Sequence, residues 1–316
     1  MSEAEQTASN NNLDLPWWTV AIMVLPSLVL LSASILLMNY GTPSGALSNP
    51  SVANGQAETA GRISVLATAI LCSAVGLLSL YQFGRDLRLF NSSSRQLLLS
   101  AAGVCVLVGS IFVWNGVPDD ADRYLGPNFA CLSFGLVDKV TPSPDVALAD
   151  SANPCGAVLH SRMKSLNHSF KYLLAAVSTA LILGTISCLG LPASPTAADR
   201  KRALERLKSY LYLSAVMLVC GLAFLGALLR WPAFSVGDDA SVKAGVSAIL
   251  LYWGIVYSVF IASYYIPVAL FGAERWAPLG PAGEGESPLT PIGLVRAGAA
   301  IFAPALVGLA SGLVKL

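Results

Sequence analysis

Long apolar runs whose central positions hold no Lys, Arg, Asp, Glu or His constrain this chain more than any other feature. A helix of about 20 apolar residues, rising about 1.5 Å per residue, crosses the ~30 Å hydrocarbon layer of a bilayer. About seven runs reach that length. Charged residues make up only 12% of the chain, against about 25% in soluble domains. The sequence therefore predicts an all-α, polytopic membrane bundle of about seven transmembrane helices in contact with the lipid bilayer.

A flexible polar tail is predicted over 1–16, followed by a single transmembrane domain over 17–316. The longest segment between apolar runs is 116–169, about 55 residues, and it is too short to build a sizeable core of its own. The predicted transmembrane helices cover 17–39, 63–83, 97–115, 170–191, 209–230, 244–272 and 293–314.

The distribution of lysine and arginine between short loops predicts the orientation. Segment 84–96 holds three arginines and segment 194–208 holds five basic residues, and alternating helices place both on one side. The short loops on the opposite side, 40–62 and 231–243, hold one basic residue each. We therefore predict a plasma-membrane or inner-membrane protein with a cytoplasmic N-terminus and an extracytoplasmic C-terminus. Segment 116–169 is then extracytoplasmic.

The basic residues of segment 194–208 are predicted to contact anionic lipid headgroups, at about 1 kcal/mol each. They precede the fifth apolar run and are expected to continue into its helix. These residues are Arg200, Lys201, Arg202, Arg206 and Lys208.

The cysteines divide into two groups. Cys131 and Cys155 lie in segment 116–169, where an extracytoplasmic disulfide would persist. Such a bridge would contribute about 3 kcal/mol by the loop-entropy argument, and two unpaired thiols are the alternative. The other four lie in predicted helices, where cysteine usually acts as a small apolar packing residue. They are Cys72, Cys105, Cys188 and Cys220.

Ionisable residues do not indicate a cofactor, a metal or a catalytic centre. His160 and His168 are the only histidines and lie outside the apolar runs, so haem ligation within the bundle is not expected. No cysteine pair has zinc-site spacing, and hydrolase and nucleotide-binding motifs are absent from the sequence. A net charge of +1 without a basic face argues against nucleic-acid binding. The sequence does not favour an enzyme.

Small residues recur every four positions on the last predicted helix: Ala300, Pro304, Gly308 and Gly312. Such a stripe lets two helix backbones approach closely in lipid. The stripe is interpreted as packing within the same bundle, and an oligomer or pore interface is the alternative.

The sixth predicted helix carries hydroxyl groups that need partners in hydrocarbon. Tyr257, Ser258 and Tyr264 are candidates for a polar face, and packing with satisfied hydroxyls is the alternative interpretation. Aspartates cluster at two loops predicted to be extracytoplasmic, and together they could form an acidic mouth that attracts cations. Solvated loop charges are the alternative. These residues are Asp119, Asp120, Asp122, Asp238 and Asp239.

Three functions fit these patterns. The favoured hypothesis is an integral membrane subunit or scaffold whose extracytoplasmic loop and small-residue helix faces bind a partner protein or a second copy. An oligomeric, channel-like protein for cations is the alternative, since the acidic mouth and small-residue helix suit it. A carrier for a neutral substrate is less favoured, because paired broken helices are not evident.

Overall fold

The computed structural model describes residues 13–40, 54–114, 162–235, 240–279 and 291–313. These residues form a helical bundle, which confirms the predicted all-α membrane fold. A 3₁₀ helix, Trp17–Met23, leads into the first α-helix, and Ala277–Leu279 form a second 3₁₀ turn. The α-helices are α1 (Val24–Tyr40), α2 (Gly55–Leu87), α3 (Ser92–Trp114), α4 (Arg162–Ser187), α5 (Ala197–Ser235), α6 (Ala240–Trp276) and α7 (Pro291–Leu313).

The helices begin where the sequence offers side-chain caps. Asn54 Oδ1 accepts from the backbone N–H groups of Gln56 (3.0 Å) and Ala57 (3.3 Å), so α2 begins at Gly55. Asn91 caps α3 by accepting from the Ser94 N–H at 2.7 Å. Thr196 and Asp199 bond reciprocally at the start of α5. Because the cap precedes the basic residues, the basic segment and the fifth apolar run form one continuous helix.

α4 is the central helix of the bundle. It packs against α2, α3, α5 and α6, and nearly every residue from Val177 to Leu191 is buried. Its hydroxyl groups bond to its own backbone: Thr179 donates to the Ala175 carbonyl (2.9 Å), and Thr185 donates to that of Leu181 (2.8 Å). This pattern lets a polar side chain sit in an apolar interior without an unsatisfied hydroxyl.

The outer surface of the bundle is apolar. Large exposed side chains include Ile70 on α2, Val104 on α3 and Phe302 on α7. In the described residues, five helical stretches are long and apolar enough to cross a membrane, and Val295–Ala310 is a shorter apolar stretch. The five are Trp17–Leu37, Gly55–Leu87, Ser169–Ser187, Ala197–Trp231 and Val242–Trp276. An apolar interior with an apolar exterior is the arrangement of a protein dissolved in lipid.

The contact between α2 and α5 gives a direct test of the packing. The thiols of Cys72 and Cys220 face each other within hydrogen-bonding reach, and both side chains are buried. We expect mild oxidation with copper phenanthroline in membranes to join them in one intramolecular disulfide, because a disulfide requires such proximity. Peptide mass spectrometry should detect the 72–220 pair. Cys105 and Cys188 serve as internal controls, and cross-linking of Cys72 to either of them would contradict the packing.

Candidate functional site

One end of the bundle is tied together by the chain that precedes the first helix. The Leu13 N–H donates to the Leu89 carbonyl (3.0 Å), and the Asn91 N–H donates back to Leu13 (3.2 Å). Asp14 exchanges two backbone hydrogen bonds with Leu191, at 2.9 and 3.2 Å. The segment Leu13–Leu15 therefore forms a strap across the α2–α3 turn and the α4–α5 turn. These hydrogen bonds are made by residues at the end of the predicted tail 1–16.

The side chain of Asp14 reinforces the strap. Its Oδ1 accepts from Ser94 Oγ at 3.1 Å and from Asn91 Nδ2 at 3.4 Å. Ser94 Oγ in turn accepts from the Leu15 N–H at 3.0 Å. The two turns with the predicted cytoplasmic arginines and lysines therefore lie at the same end as residues 13–16. We call it the strap end of the bundle.

A buried carboxylate lies just inside the strap end. Asp86, near the end of α2, is 2% exposed and accepts a hydrogen bond from the Tyr210 hydroxyl of α5 at 3.0 Å. Arg85 approaches the other carboxylate oxygen at 3.5 Å from a position that is 60% exposed. The Tyr210 ring is itself fully buried. Asp86 and Tyr210 thus join α2 to α5 by a charge-assisted hydrogen bond in a dry environment, where such bonds are strong.

Gly184 of α4 makes room for this pair. A Cβ atom at Gly184 would lie 2.1 Å from Cε1 of the Tyr210 ring, so no larger residue fits unless the ring moves. Cys188, the first residue after α4, is fully buried, and its thiol donates to the Gly184 carbonyl at 3.4 Å. This cysteine serves as a small packing group in the interior.

The opposite end of α2 holds a second buried carboxylate. Glu58, in the first turn, is 1% exposed, and its Oε1 accepts from Arg62 Nη2 at 2.6 Å. The Arg62 guanidinium lies 5.7 Å from the centre of the Trp231 ring, near the end of α5. A Cβ atom at Gly61 would approach that ring to 2.7 Å. α2 and α5 are therefore joined by polar contacts near both of their ends.

The small-residue stripe of α7 lies against α6. A Cβ atom at Gly308 would lie 2.7 Å from the Leu250 carbonyl oxygen, and one at Gly254 would lie 2.6 Å from that of Pro304. The side chain of Ala300 is buried on the same face. The two backbones therefore approach closely at two points, near Gly254 and near Gly308. Gly312 lies in the last turn of α7.

The proposed polar face of α6 points into the bundle. Ser258 is buried, donates to the Gly254 carbonyl (3.0 Å) and accepts from the Ala305 N–H of α7 (3.2 Å). Tyr264 is fully buried, and Tyr257 is half-buried with its ring 5.5 Å from that of Trp253. The interior that these side chains enter is filled by large apolar groups such as Leu183, Met217 and Ile261.

The remaining predicted residues divide between described and undescribed parts of the chain. Arg202 of α5 is 71% exposed and pairs with Asp199 at 3.5 Å. Arg200, Lys201, Arg206 and Lys208 lie on the same part of α5, and only Lys201 among them is exposed. Outside the described residues lie Cys131, Cys155, Asp119, Asp120, Asp122, Asp238 and Asp239, so the predicted disulfide and acidic mouth remain predictions.

Sequence reasoning missed the Asp86–Tyr210 pair. Asp86 follows Arg85 at the end of an apolar run, a pattern typical of a solvated loop charge. Nothing in the neighbouring sequence links it to Tyr210, 124 positions away. The one available signal is that Asp86 comes only three residues after Phe83 and continues its helical face.

The bundle, its lipid-facing surface and its paired buried carboxylates define a helical integral membrane protein. The chain matches no protein-family model, and neither a curated protein sequence nor a solved structure matches it. Its function is therefore argued from its own residues.

Proposed function

We propose that this chain is a non-transporting integral membrane subunit, a scaffold that binds a partner protein through its extracytoplasmic segment 116–169. The observation that carries the proposal is the packed apolar interior around α4. A polar route through this bundle would have to displace buried side chains such as Leu183, Ile186 and Met217. A scaffold needs no such route.

The distribution of contacts supports the same function. α4 to α7 pack against one another, whereas α3 makes its main helix contact with α4 alone. Its exposed side chains include Leu99, Val104 and Leu107. Segment 116–169 begins where α3 ends, so a partner bound there would also meet the exposed side of α3.

The stripe on α7 has a different role in this proposal. The close approaches at Gly254 and Gly308 are made within the chain. We therefore place partner binding on segment 116–169 and α3, and assign the glycines of α6 and α7 to the internal stability of the bundle.

Co-purification after cross-linking in native membranes tests the proposal. The wild-type chain should retain a specific partner, and replacing 120–165 by a Gly/Ser linker of equal length should remove it. A variant in which residues 1–12 are replaced by the same kind of linker serves as the control and should retain the partner. Both variants must melt within about 3 °C of the wild type, so that loss of the partner cannot be ascribed to unfolding.

Two results would contradict the scaffold function. One is an unchanged set of partners after replacement of 120–165. The other is selective cation flux through the purified chain in liposomes that decreases in the Asp119→Asn and Asp239→Asn variants, because this result would favour the channel instead.

A further inference from the structure

Arg206 of α5 is more buried than Arg202 on the same helix. Its Nε and Nη1 atoms are both buried, and neither has a hydrogen-bond acceptor in the described part of the chain. Arg202, one turn earlier, is exposed and paired with Asp199. Burying a guanidinium without acceptors is costly, because the group loses its hydration and gains no bond in return.

The antiparallel pairing of α4 and α5 gives the depth of Arg206. The Tyr210 ring lies over Gly184. One turn closer to the strap end, Arg206 lies on α5, and Cys188 follows directly after the end of α4 at Ser187. Arg206 therefore lies level with the end of α4, at the depth where an apolar helix gives way to the headgroup region.

Several acceptors around this level already accept hydrogen bonds. Asp86 accepts from Tyr210 through one carboxylate oxygen and lies beside Arg85 with the other. The Leu191 carbonyl accepts from Asp14. The last carbonyl groups of α4 accept from backbone N–H groups of the turn that follows. The Thr185 carbonyl accepts from Cys188, the Ile186 carbonyl from Leu189 and the Ser187 carbonyl from Gly190.

Further unpaired donors lie at the same end of the bundle. Arg275 Nε and Trp276 Nε1, in the last turn of α6, are buried and lack an acceptor in the described residues. Four buried donor nitrogens of Arg206, Arg275 and Trp276 at the strap end thus lack an acceptor in the described residues. This end also carries most of the arginines of the described chain. A positive region rich in donors favours an anion with several acceptor oxygens.

We propose that Arg206 binds a phosphate oxyanion at the strap end of the bundle, between α4 and α5. The planar guanidinium presents parallel N–H donors that match two phosphate oxygens, which a lysine cannot do. The phosphate can belong to an anionic lipid headgroup or to a soluble phosphate, and both present the same oxygens. This site is independent of partner binding at segment 116–169.

Titration of the full-length protein in dodecyl maltoside tests the site. Three probes are added separately: dioctanoyl-phosphatidylglycerol, dioctanoyl-phosphatidylcholine and inorganic phosphate. The midpoint of thermal unfolding, followed by tryptophan fluorescence, gives an apparent affinity for each probe. A response to phosphatidylglycerol alone identifies a lipid headgroup, and a response to inorganic phosphate as well identifies a soluble phosphate site.

Variants on one helix separate this site from general attraction to a positive surface. We expect Arg206→Gln to weaken binding at least about tenfold, because charge-assisted hydrogen bonds are lost. Arg202→Gln is the matched control and should change the affinity less than about twofold, since its side chain is exposed. Arg206→Lys keeps the charge but lacks the planar guanidinium, so its affinity should fall between those of the other two variants. It also tests the site if Arg206→Gln does not fold.

Three results would overturn the proposal. The first is that none of the three probes shifts the unfolding midpoint of the wild type. The second is that Arg206→Gln, or Arg206→Lys where the glutamine variant does not fold, binds as tightly as the wild type. The third is that Arg202→Gln and Arg206→Gln weaken binding equally, because binding would then reflect only the overall positive charge of the surface.

Discussion

Replacing Gly308 by alanine is expected to lower the free energy of unfolding by about 1–3 kcal/mol, and replacing it by leucine should lower it further. The added Cβ atom would lie 2.7 Å from the Leu250 carbonyl oxygen and 3.0 Å from the Leu251 Cα atom. These are backbone atoms, so no side-chain rotation can relieve the clash and the two helices must move apart. The separation would also weaken the hydrogen bond between the Ala305 N–H and Ser258.

A matched control lies on the same helix. A Cβ atom at Gly298 of α7 would meet nothing within 4 Å. Gly298→Ala should therefore be neutral or stabilising by up to about 1 kcal/mol, since alanine favours a helix over glycine. Thermal or denaturant unfolding in detergent measures both variants. Equal effects at positions 298 and 308 would contradict the close approach of α6 and α7.

Removal of the Tyr210 hydroxyl is the second change with a large expected effect. Tyr210→Phe should lower the free energy of unfolding by about 1.5–3 kcal/mol, because it leaves a buried carboxylate without its main donor. The phenylalanine ring still fits over Gly184, so the packing is kept. Asp86→Ala should cost about 2–4 kcal/mol, because it also leaves a cavity and an unpaired hydroxyl.

A double-mutant cycle isolates the interaction between the two side chains. The double variant should be about 1–2 kcal/mol more stable than the sum of the single effects predicts, since each single change removes the same bond. Tyr212→Phe is the control, because Tyr212 lies on α5 with an exposed side chain, and its effect should stay within about 0.5 kcal/mol. Strict additivity would show that Asp86 and Tyr210 do not interact.

The helices were predictable because hydrocarbon requires long apolar runs with internally satisfied backbones. Their ends were less predictable. α2 begins at Gly55 rather than near residue 63, because Asn54 caps a polar first turn in which Glu58 is buried. α6 likewise continues past residue 272, where Trp276 is buried against the core. The hydropathy of the local sequence does not predict that a polar turn continues a helix when that turn packs against another helix.

The contacts between helices depend on tertiary structure. The stripes of small residues on α6 and α7 were visible in the sequence, but their mutual contact at Gly254 and Gly308 was not. The distinction between Arg206 and Arg202 was also invisible, since both belong to one basic segment. Only the folded bundle shows that the Nε and Nη1 atoms of Arg206 are buried, whereas Arg202 is exposed and pairs with Asp199.

We propose that α2 crosses a membrane, with the strap end in the cytoplasm and Glu58 near the opposite surface. Single cysteines at Gln56 and Arg202, both exposed, test it in a background whose native cysteines are replaced by alanine. A membrane-impermeant maleimide applied to intact cells should label Gln56→Cys alone and reach Arg202→Cys only after permeabilisation. Labelling of both positions from outside would show that α2 does not cross the membrane in this orientation.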